Sequence, residues 1–338
     1  MVSTYFDDYD KKFPGVIIEI LEYFEISNRE SGSIKDRSIL KFCERGKTEG
    51  NLVYQPQIIS RICKRLCDCG QLECLQSRGG IGLLDNYLYV LNRTDLFKEN
   101  KEKLQYYYNS MVYGFEYIYN MYRSIVIPIV WDRGNGNYAM GTGFKFSNGI
   151  VTAKHCITDV KNLQIKGYMA SELEGKPIYV SDIDGVDIAF IETGRVENPQ
   201  IFIDVGEVMQ EVLVMGYPKI PAFTDFLTAE KATISSKASS RITPTKGNIA
   251  AYGYEYLTSI DAMLITAKIK GGNSGGPVIN QNGCLVGVAC QIPAYDKVGD
   301  YDDLGYGIAV PAKFLTDILE RKPKQLDVSA NFYRDFSE

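Results

Sequence analysis

The sequence predicts a mainly β domain that is preceded by a smaller domain of helices and a hairpin. The 338 residues exceed what one hydrophobic core usually holds, so two domains are expected. The first third places apolar residues at helical spacing, whereas the chain after residue 124 has short Val-, Ile- and Phe-rich runs between turn residues. With 45% hydrophobic and 23% charged residues, the composition is that of a globular protein.

Residues 1–93 are predicted to form the smaller α+β domain. Apolar residues recur at helical spacing over 17–24 and over 39–42, and a third helix is expected from Gln55 to Cys69. Alternation over 72–91, interrupted by glycines, then predicts a two-stranded hairpin. Three helices followed by a hairpin resemble a winged helix-turn-helix domain.

The third predicted helix carries Arg61, Lys64 and Arg65 on the face opposite its apolar side. A winged-helix domain contacts phosphates with a basic face of this kind, which makes DNA one candidate partner. A regulatory protein partner is the alternative, because acidic residues interrupt the basic patch. The net charge of −5 argues against wholesale nucleic-acid or membrane binding.

Four cysteines of this domain raise the question of a zinc site: Cys63, Cys67, Cys69 and Cys74. Four thiolates can complete a structural zinc site, but such sites usually have two pairs of cysteines, each pair separated by two residues. The spacing here differs, so buried free thiols are favoured and no metal or cofactor is predicted.

The cysteines also bear on location. The nearest cysteine before Cys156 is Cys74, in another segment, so no local disulfide is expected. Residues Met1–Lys12 are acidic and aromatic, unlike a signal peptide, and no apolar run is long enough to span a bilayer. The sequence therefore predicts a reducing, cytoplasmic location and no membrane partner.

Residues 94–123 are predicted to form a linker helix. Its apolar residues alternate in steps of four and three, as in a coiled coil: Leu104, Tyr108, Met111, Phe115, Ile118 and Tyr122. We expect this stripe to pack on one of the chain's own domains; a homodimer seam is the alternative. Gly114 weakens the helix.

Three polar residues in the β-rich part form a candidate catalytic triad. His155, the only histidine, follows a predicted hairpin; Asp187 directly precedes an apolar strand; and Ser274 lies in a glycine-rich turn. A serine hydroxyl needs a base, histidine accepts a proton near neutral pH, and a carboxylate orients the imidazole. Asp182 and Asp184 are weaker candidates because they lie in the preceding turn. The flexible glycines let the amides of Gly272 and Ser274 form an oxyanion hole.

The segments around these residues resemble the three signature blocks of trypsin-like serine peptidases, in the family's order: Thr152–Cys156, Asp187–Phe190 and Gly272–Pro277. Further blocks resemble the Deg/HtrA-type subgroup: Gly216–Pro218, Leu285–Val288 and Gly305–Pro311. The resemblance implies a chymotrypsin-like double six-stranded antiparallel β-barrel over 124–325, followed by a C-terminal tail, 326–338. It also implies an endopeptidase that cuts protein or peptide substrates through an acyl-enzyme.

The resemblance further suggests which residues wall the substrate pocket: Lys268, Cys290, Gln291, Ile292, Gly305 and Gly307. Lys268 would favour an acidic side chain if it lay at the base, but it can equally point to solvent. Asn273 stands where digestive trypsins have an aspartate that pairs with a new N-terminus, so activation by that salt bridge is not expected. The short stretch after the last predicted helix leads us to expect no PDZ domain behind the barrel, so control is expected from loops, partners or the front domain.

Three hypotheses follow for the whole chain. The first is a cytoplasmic serine endopeptidase regulated by its front domain, in stress or defence signalling. The second is a DNA-binding regulator whose protease domain acts on itself or on a partner. The third is a catalytically silent trypsin-like scaffold.

Overall fold

The computed structural model describes residues 9–25, 38–48, 54–77, 87–90, 101–133, 138–218, 242–255, 260–290, 306–329 and 331–336. The chain divides into two compact units, residues 1–118 and residues 119–338. Each unit has its own hydrophobic core and is considered separately below.

The first unit consists of helices and a small sheet. Its first four helices are α1 (Tyr9–Lys12), α2 (Val16–Phe24), α3 (Ile39–Thr48) and α4 (Pro56–Asp68). Strands β1 (Glu73–Ser77) and β2 (Tyr87–Val90) pair antiparallel. Apolar faces of α2 and α4 both contribute to the core, where Leu21 and Ile62 are fully buried. The predicted order of helices followed by a two-stranded sheet is therefore present.

The predicted linker helix is two helices in the structure. Helix α5 (Lys101–Tyr113) ends at Gly114, and α6 (Phe115–Tyr122) begins directly after it. Gly114 has a φ of 76°, the left-handed conformation that closes a helix and favours glycine. Its N–H still donates to the Ser110 carbonyl at 2.9 Å. The prediction of one continuous helix is wrong because glycine terminates α5.

The apolar stripe of α5 is covered by the first unit itself. Tyr108 belongs to the hydrophobic core, and Leu104 and Met111 are partly buried against it. This arrangement agrees with a helix packed on its own domain.

The second unit starts with an open seven-stranded sheet. Its first six strands are β3 (Val126–Asp132), β4 (Tyr138–Phe146), β5 (Gly149–Thr152), β6 (Lys161–Ile165), β7 (Ile178–Val180) and β8 (Ala189–Ile191). With β15 (Lys324–Gln325), the order across the sheet is β15-β7-β8-β5-β4-β3-β6. A short helix, α7 (Ala170–Leu173), follows β6.

A closed six-stranded barrel completes the second unit. Its strands are β9 (Glu211–Gly216), β10 (Thr243–Glu255), β11 (Ile260–Ile265), β12 (Pro277–Asn280), β13 (Leu285–Cys290) and β14 (Gly307–Pro311). They close in the order β10-β11-β14-β13-β12-β9. This is the predicted chymotrypsin-like fold with one difference: the first of the two expected barrels is open, a half-barrel.

The end of the chain packs onto the open sheet. After α8 (Lys313–Arg321), the two-residue strand β15 pairs with β7, and Phe332 and Tyr333 enter the core around Leu163. The Leu163 N–H donates to the Phe332 carbonyl at 2.8 Å, and the Arg334 N–H donates to the Leu163 carbonyl at 2.9 Å. Residues of the predicted tail thus dock on the open sheet through Phe332 and Tyr333.

Within the part of the chain that the structure describes, no helix combines the length and apolar character needed to cross a membrane.

Candidate active site

The end of strand β5 delivers His155 to the surface of the second unit. Thr152 is the last residue of β5, and a turn of 3₁₀ helix, Lys154–Cys156, carries the histidine. The backbone N–H of His155 donates to Oδ1 of Asp187 at 2.9 Å. Asp187 lies just before β8, which pairs with β5, so sheet pairing brings the two residues together.

The imidazole of His155 and the carboxylate of Asp187 are directly hydrogen-bonded. Nδ1 of His155 lies 2.6 Å from Oδ2 of Asp187, and the histidine side chain is 39% exposed. Burial disfavours the charged ring, but the hydrogen bonds to Asp187 and to the Cys156 side chain outweigh it and raise the pKa of His155 above its usual value. When Nδ1 donates to the carboxylate, Nε2 is left to accept a proton.

The thiol of Cys290 also contacts the carboxylate of Asp187. Its Sγ donates to Oδ2 at 2.8 Å from the end of strand β13. Burial and the neighbouring carboxylate raise the pKa of Cys290 well above its usual value, which keeps the thiol protonated and able to donate. The sequence placed Cys290 in a pocket wall; its contact with Asp187 was missed, because nothing in the local sequence signals a contact across 103 residues.

His155, Asp187 and Cys290 are also the group of possible metal ligands found in the described residues, with ligand atoms within 4.8 Å of one another. Tetrahedral ligands with bonds of about 2.0 Å lie about 3.3 Å apart. The 2.6 Å and 2.8 Å separations are instead hydrogen-bond distances. The arrangement fits an oriented imidazole better than a metal centre.

Ser274 lies in a tight turn between β11 and β12. The Asn273 N–H donates to the Lys270 carbonyl at 2.9 Å, and Gly272 has a φ of 101°, as in the third position of a type II turn. Gly275 has a φ of 86°, and a Cβ there would lie 2.1 Å from the Thr142 carbonyl oxygen. The glycines are thus required by the backbone. Ser274 is 3% exposed, and its hydroxyl makes no hydrogen bond to His155 within the described residues.

The amides predicted to form an oxyanion hole are available. Among the described residues, the N–H groups of Gly272 and Ser274 donate to no acceptor, whereas the Gly275 N–H donates to the Ala289 carbonyl at 2.7 Å. Asn273, between them, is 1% exposed and uncharged, as the sequence indicated.

The predicted pocket residues are only partly brought together. Lys268 is exposed, which agrees with the solvent-facing alternative. Gly307 is buried at the start of β14, and a Cβ there would lie 2.7 Å from the Ala267 carbonyl oxygen. Gln291, Ile292 and Gly305 lie outside the described residues.

A cavity of about 280 Å³ opens beside His155 and Asp187. Apolar side chains of β11 and β14 form its wall: Ile260, Ala262, Ile308 and Val310. The sequence analysis missed this cavity. The sequence signal for it was the pairs of apolar residues two positions apart on each strand, because such residues point to the same face of a strand.

The first unit holds the other predicted positions. Arg61, Lys64 and Arg65 are all exposed on α4, opposite the buried Ile62 and Leu66.

The four cysteines proposed as possible zinc ligands are not equivalent. Cys63 is buried, Cys67 and Cys69 are half-buried, and Cys74 is exposed. Burial is the main cause that raises the pKa of Cys67 to about 12, which favours the protonated thiol over a metal-binding thiolate.

Residues 141–288 match the family model described as a trypsin-like peptidase domain. That range contains His155, Asp187 and Ser274 and covers most of both sheets. The second unit is therefore similar to trypsin-like peptidase domains, and its two sheets have the chymotrypsin-like fold.

Curated relatives specify the similarity further. The chain is 25% identical over 194 residues to a serine protease Do-like HtrA of Bacillus subtilis, covering 56% of this chain and 39% of that protein. It is 26% identical over 208 residues to a probable periplasmic serine endoprotease, DegP-like, of Pseudomonas putida, covering 59% and 38%. The chain thus spans about two fifths of the length of these relatives.

A solved structure also matches part of the chain at lower identity. The crystal structure of a serine endoprotease from Yersinia pestis matches with a TM-score of 0.42 and 22% identity, covering 61% of this chain and 65% of that one.

Proposed function

We propose that this chain is an active serine endopeptidase in which His155, Asp187 and Ser274 form the catalytic triad. The observation that carries the proposal is the 2.6 Å hydrogen bond between the only histidine and Asp187, within a fold that also supplies a serine on a glycine-rich turn. All three members of the triad are present, which argues against a silent scaffold.

The proposed reaction follows from the roles of these groups. Nε2 of His155 removes the Ser274 hydroxyl proton while Oγ attacks the peptide carbonyl carbon, and Asp187 stabilises the imidazolium that forms. The amides of Gly272 and Ser274 stabilise the oxyanion. The imidazolium then protonates the leaving amine, and water releases the acyl group by the same steps in reverse.

Hydrolysis of an unfolded protein tests the proposal. Purified full-length chain is incubated with a reduced and alkylated protein substrate, and new N-termini are detected by mass spectrometry. We expect cleavage by the native chain and none by Ser274→Ala, which deletes only the nucleophile. Equal cleavage by both chains would contradict the proposal.

We further propose a cytoplasmic enzyme that the first unit regulates in a stress or defence response. All eight cysteines are free thiols. The residue that faces the Cys156 thiol is Gly141, where a Cβ would lie 2.7 Å from the Cys156 Sγ, so no cysteine stands there to form a disulfide. These features support a reducing compartment. The neutral Asn273 beside Ser274 supports control by something other than a zymogen salt bridge.

DNA binding by a winged-helix first unit is the second candidate function, and the exposed basic face of α4 favours it. Phosphate contacts make affinity fall steeply with salt. A gel-shift assay of the full chain at about 50 mM and about 200 mM salt tests this. We expect a salt-sensitive shift that is lost when Arg61, Lys64 and Arg65 are replaced by glutamine. The absence of any shift at low salt would contradict DNA binding and favour a protein partner.

A further inference from the structure

Thr142, on strand β4, contacts the Ser274 turn through both its backbone and its side chain. Its N–H donates to the Ser274 carbonyl at 2.8 Å. Its hydroxyl donates to the Gly272 carbonyl at 2.7 Å. One threonine from the open sheet therefore holds two carbonyl groups that flank the Ser274 amide.

The hydroxyl of Thr142 both donates and accepts a hydrogen bond. In addition to its donated bond, its oxygen accepts the Tyr217 N–H at 2.9 Å, just after strand β9. A hydroxyl group has one hydrogen. Because the Tyr217 N–H approaches the Thr142 oxygen from one side, the hydroxyl hydrogen points to the Gly272 carbonyl. Thr142 is 0% exposed, so water cannot replace either bond.

The hydrogen bonds from Thr142 to the Gly272 and Ser274 carbonyls determine which N–H groups of the turn are left to bind an oxyanion. The peptide units 272–273 and 274–275 are bonded at both ends: their carbonyls to Thr142, and their N–H groups to the Lys270 and Ala289 carbonyls. The alternate units carry the Gly272 and Ser274 N–H groups, which have no acceptor in the described residues. Because the two hydrogen-bonded peptide units are fixed, the N–H groups of Gly272 and Ser274 remain available to bind the oxyanion.

Close packing leaves the turn little freedom around Thr142. A Cβ at Gly216 would lie 3.0 Å from the Thr142 hydroxyl oxygen and 2.8 Å from Oδ1 of Asn273. The glycine at 216 thus lets the β9 end approach both Thr142 and the residue before Ser274.

We propose that Thr142 is a positioning residue whose hydroxyl sets the orientation of the oxyanion-binding amides. It acts through the Gly272 carbonyl and does not touch substrate. This inference rests on the proposed peptidase function, since it concerns the transition state of that reaction.

The test compares Thr142→Val, which keeps the shape and removes the hydroxyl, with Thr142→Ser, which keeps the hydroxyl. For a peptide ester substrate we expect Thr142→Val to lower kcat by about 10-fold to 100-fold with KM nearly unchanged, because a displaced oxyanion donor weakens only transition-state binding. Thr142→Ser should restore most of the lost kcat.

Thr193→Val is the matched structural control. Thr193 is also buried, and its hydroxyl likewise donates to a carbonyl, that of Asn148, and accepts an N–H, that of Arg195. Thr193 follows the last residue of β8, whereas Asp187 precedes the first, so loss of the Thr193 hydroxyl should lower Tm without lowering kcat. The NMR signal of His155 should titrate equally in the native chain and in Thr142→Val, because the histidine–aspartate pair is untouched.

The outcomes separate this inference from the proposed function. A native chain without esterase activity would overturn the peptidase proposal and this inference with it. An active native chain with the same kcat in Thr142→Val would overturn this inference alone, as would an equal loss of kcat in Thr193→Val or the absence of rescue in Thr142→Ser. If Thr142→Val does not fold, Thr142→Ala replaces it with the same expected loss.

Discussion

At the scale of single residues, the site depends on how many groups share the carboxylate of Asp187. Its Oδ1 accepts the His155 backbone N–H, and its Oδ2 lies within hydrogen-bond distance of both the His155 ring and the Cys290 thiol. The carboxylate is therefore fixed on three sides. The imidazole can take up a proton without turning, and its raised pKa is the measurable consequence.

The ionisation of His155 is directly observable because the chain has a single histidine. We expect its imidazole, followed by ¹⁵N NMR, to titrate above the ordinary value of about 6.5, since Asp187 stabilises the charged ring. The base must be neutral, so kcat/KM should rise with pH through that same midpoint. The pair stabilises the fold fully below about 6.5, and this contribution is lost as pH rises through the raised pKa.

Asp187→Asn is the variant that checks this assignment. Without the carboxylate, the His155 midpoint should move down, and kcat should fall by a factor on the order of 10⁴. A histidine that titrates at the same pH in both chains would show that Asp187 is not its partner in solution.

Cys290→Ala should lower kcat by about 5-fold, the equivalent of about 1 kcal/mol for one hydrogen bond to the carboxylate. Cys290→Ser keeps a donor at the same position and should stay close to native activity. Steady-state kinetics on a peptide ester measures both. Equal kcat in the alanine variant and the native chain would show that the thiol does not help to orient Asp187.

At the scale of elements, short strand-to-turn junctions place the reacting groups, and these junctions are what sequence patterns predict well. His155 follows β5, Asp187 precedes β8 and Ser274 precedes β12, each at a local change from apolar alternation to turn residues. The sequence indicated that Gly114 weakens the linker helix but not that the helix ends there. Helix propensity does not show whether a glycine adopts the left-handed φ that terminates a helix.

Contacts between distant segments could not be predicted from these patterns. The Cys290 thiol at Asp187 and the Thr142 hydroxyl at Gly272 depend on how the two sheets pack, with separations of 103 and 130 residues. Whether the first sheet closes into a barrel likewise depends on strand pairing across the sheet, since each strand has the same local pattern in either case.

The C-terminal segment is an element whose energetic role can be measured. Phe332 is 6% exposed in the core of the open sheet, so Phe332→Ala should lower the free energy of unfolding by about 3 kcal/mol. Urea unfolding measures this, with Val205→Ala, at a 76% exposed position, as the control. A loss below about 1 kcal/mol, close to that of an exposed site, would contradict docking of the tail.

At the scale of the whole molecule, each unit has a core of its own. The first core is built around α2 and α4, and the second unit has separate cores in the open sheet and in the closed barrel. Every proposed reacting group lies in the second unit. Peptidase chemistry should therefore not require any side chain of the first unit, whose proposed role is regulatory.

A chain beginning at Gly114, just before α6, tests this division. We expect residues 114–338 to unfold cooperatively in urea and to retain esterase activity, because the cores of the second unit remain complete. An insoluble or non-cooperative fragment would show that the first unit is needed for folding.

The central claim is that Ser274 is a nucleophile activated by His155. Its most direct test is to treat the full-length chain with a fluorophosphonate and to locate the adduct by peptide mass spectrometry. We predict a single phosphonylated residue, Ser274, with labelling abolished in Ser274→Ala and strongly slowed in His155→Ala. Labelling at another serine, or labelling at Ser274 that proceeds equally fast without His155, would contradict the account.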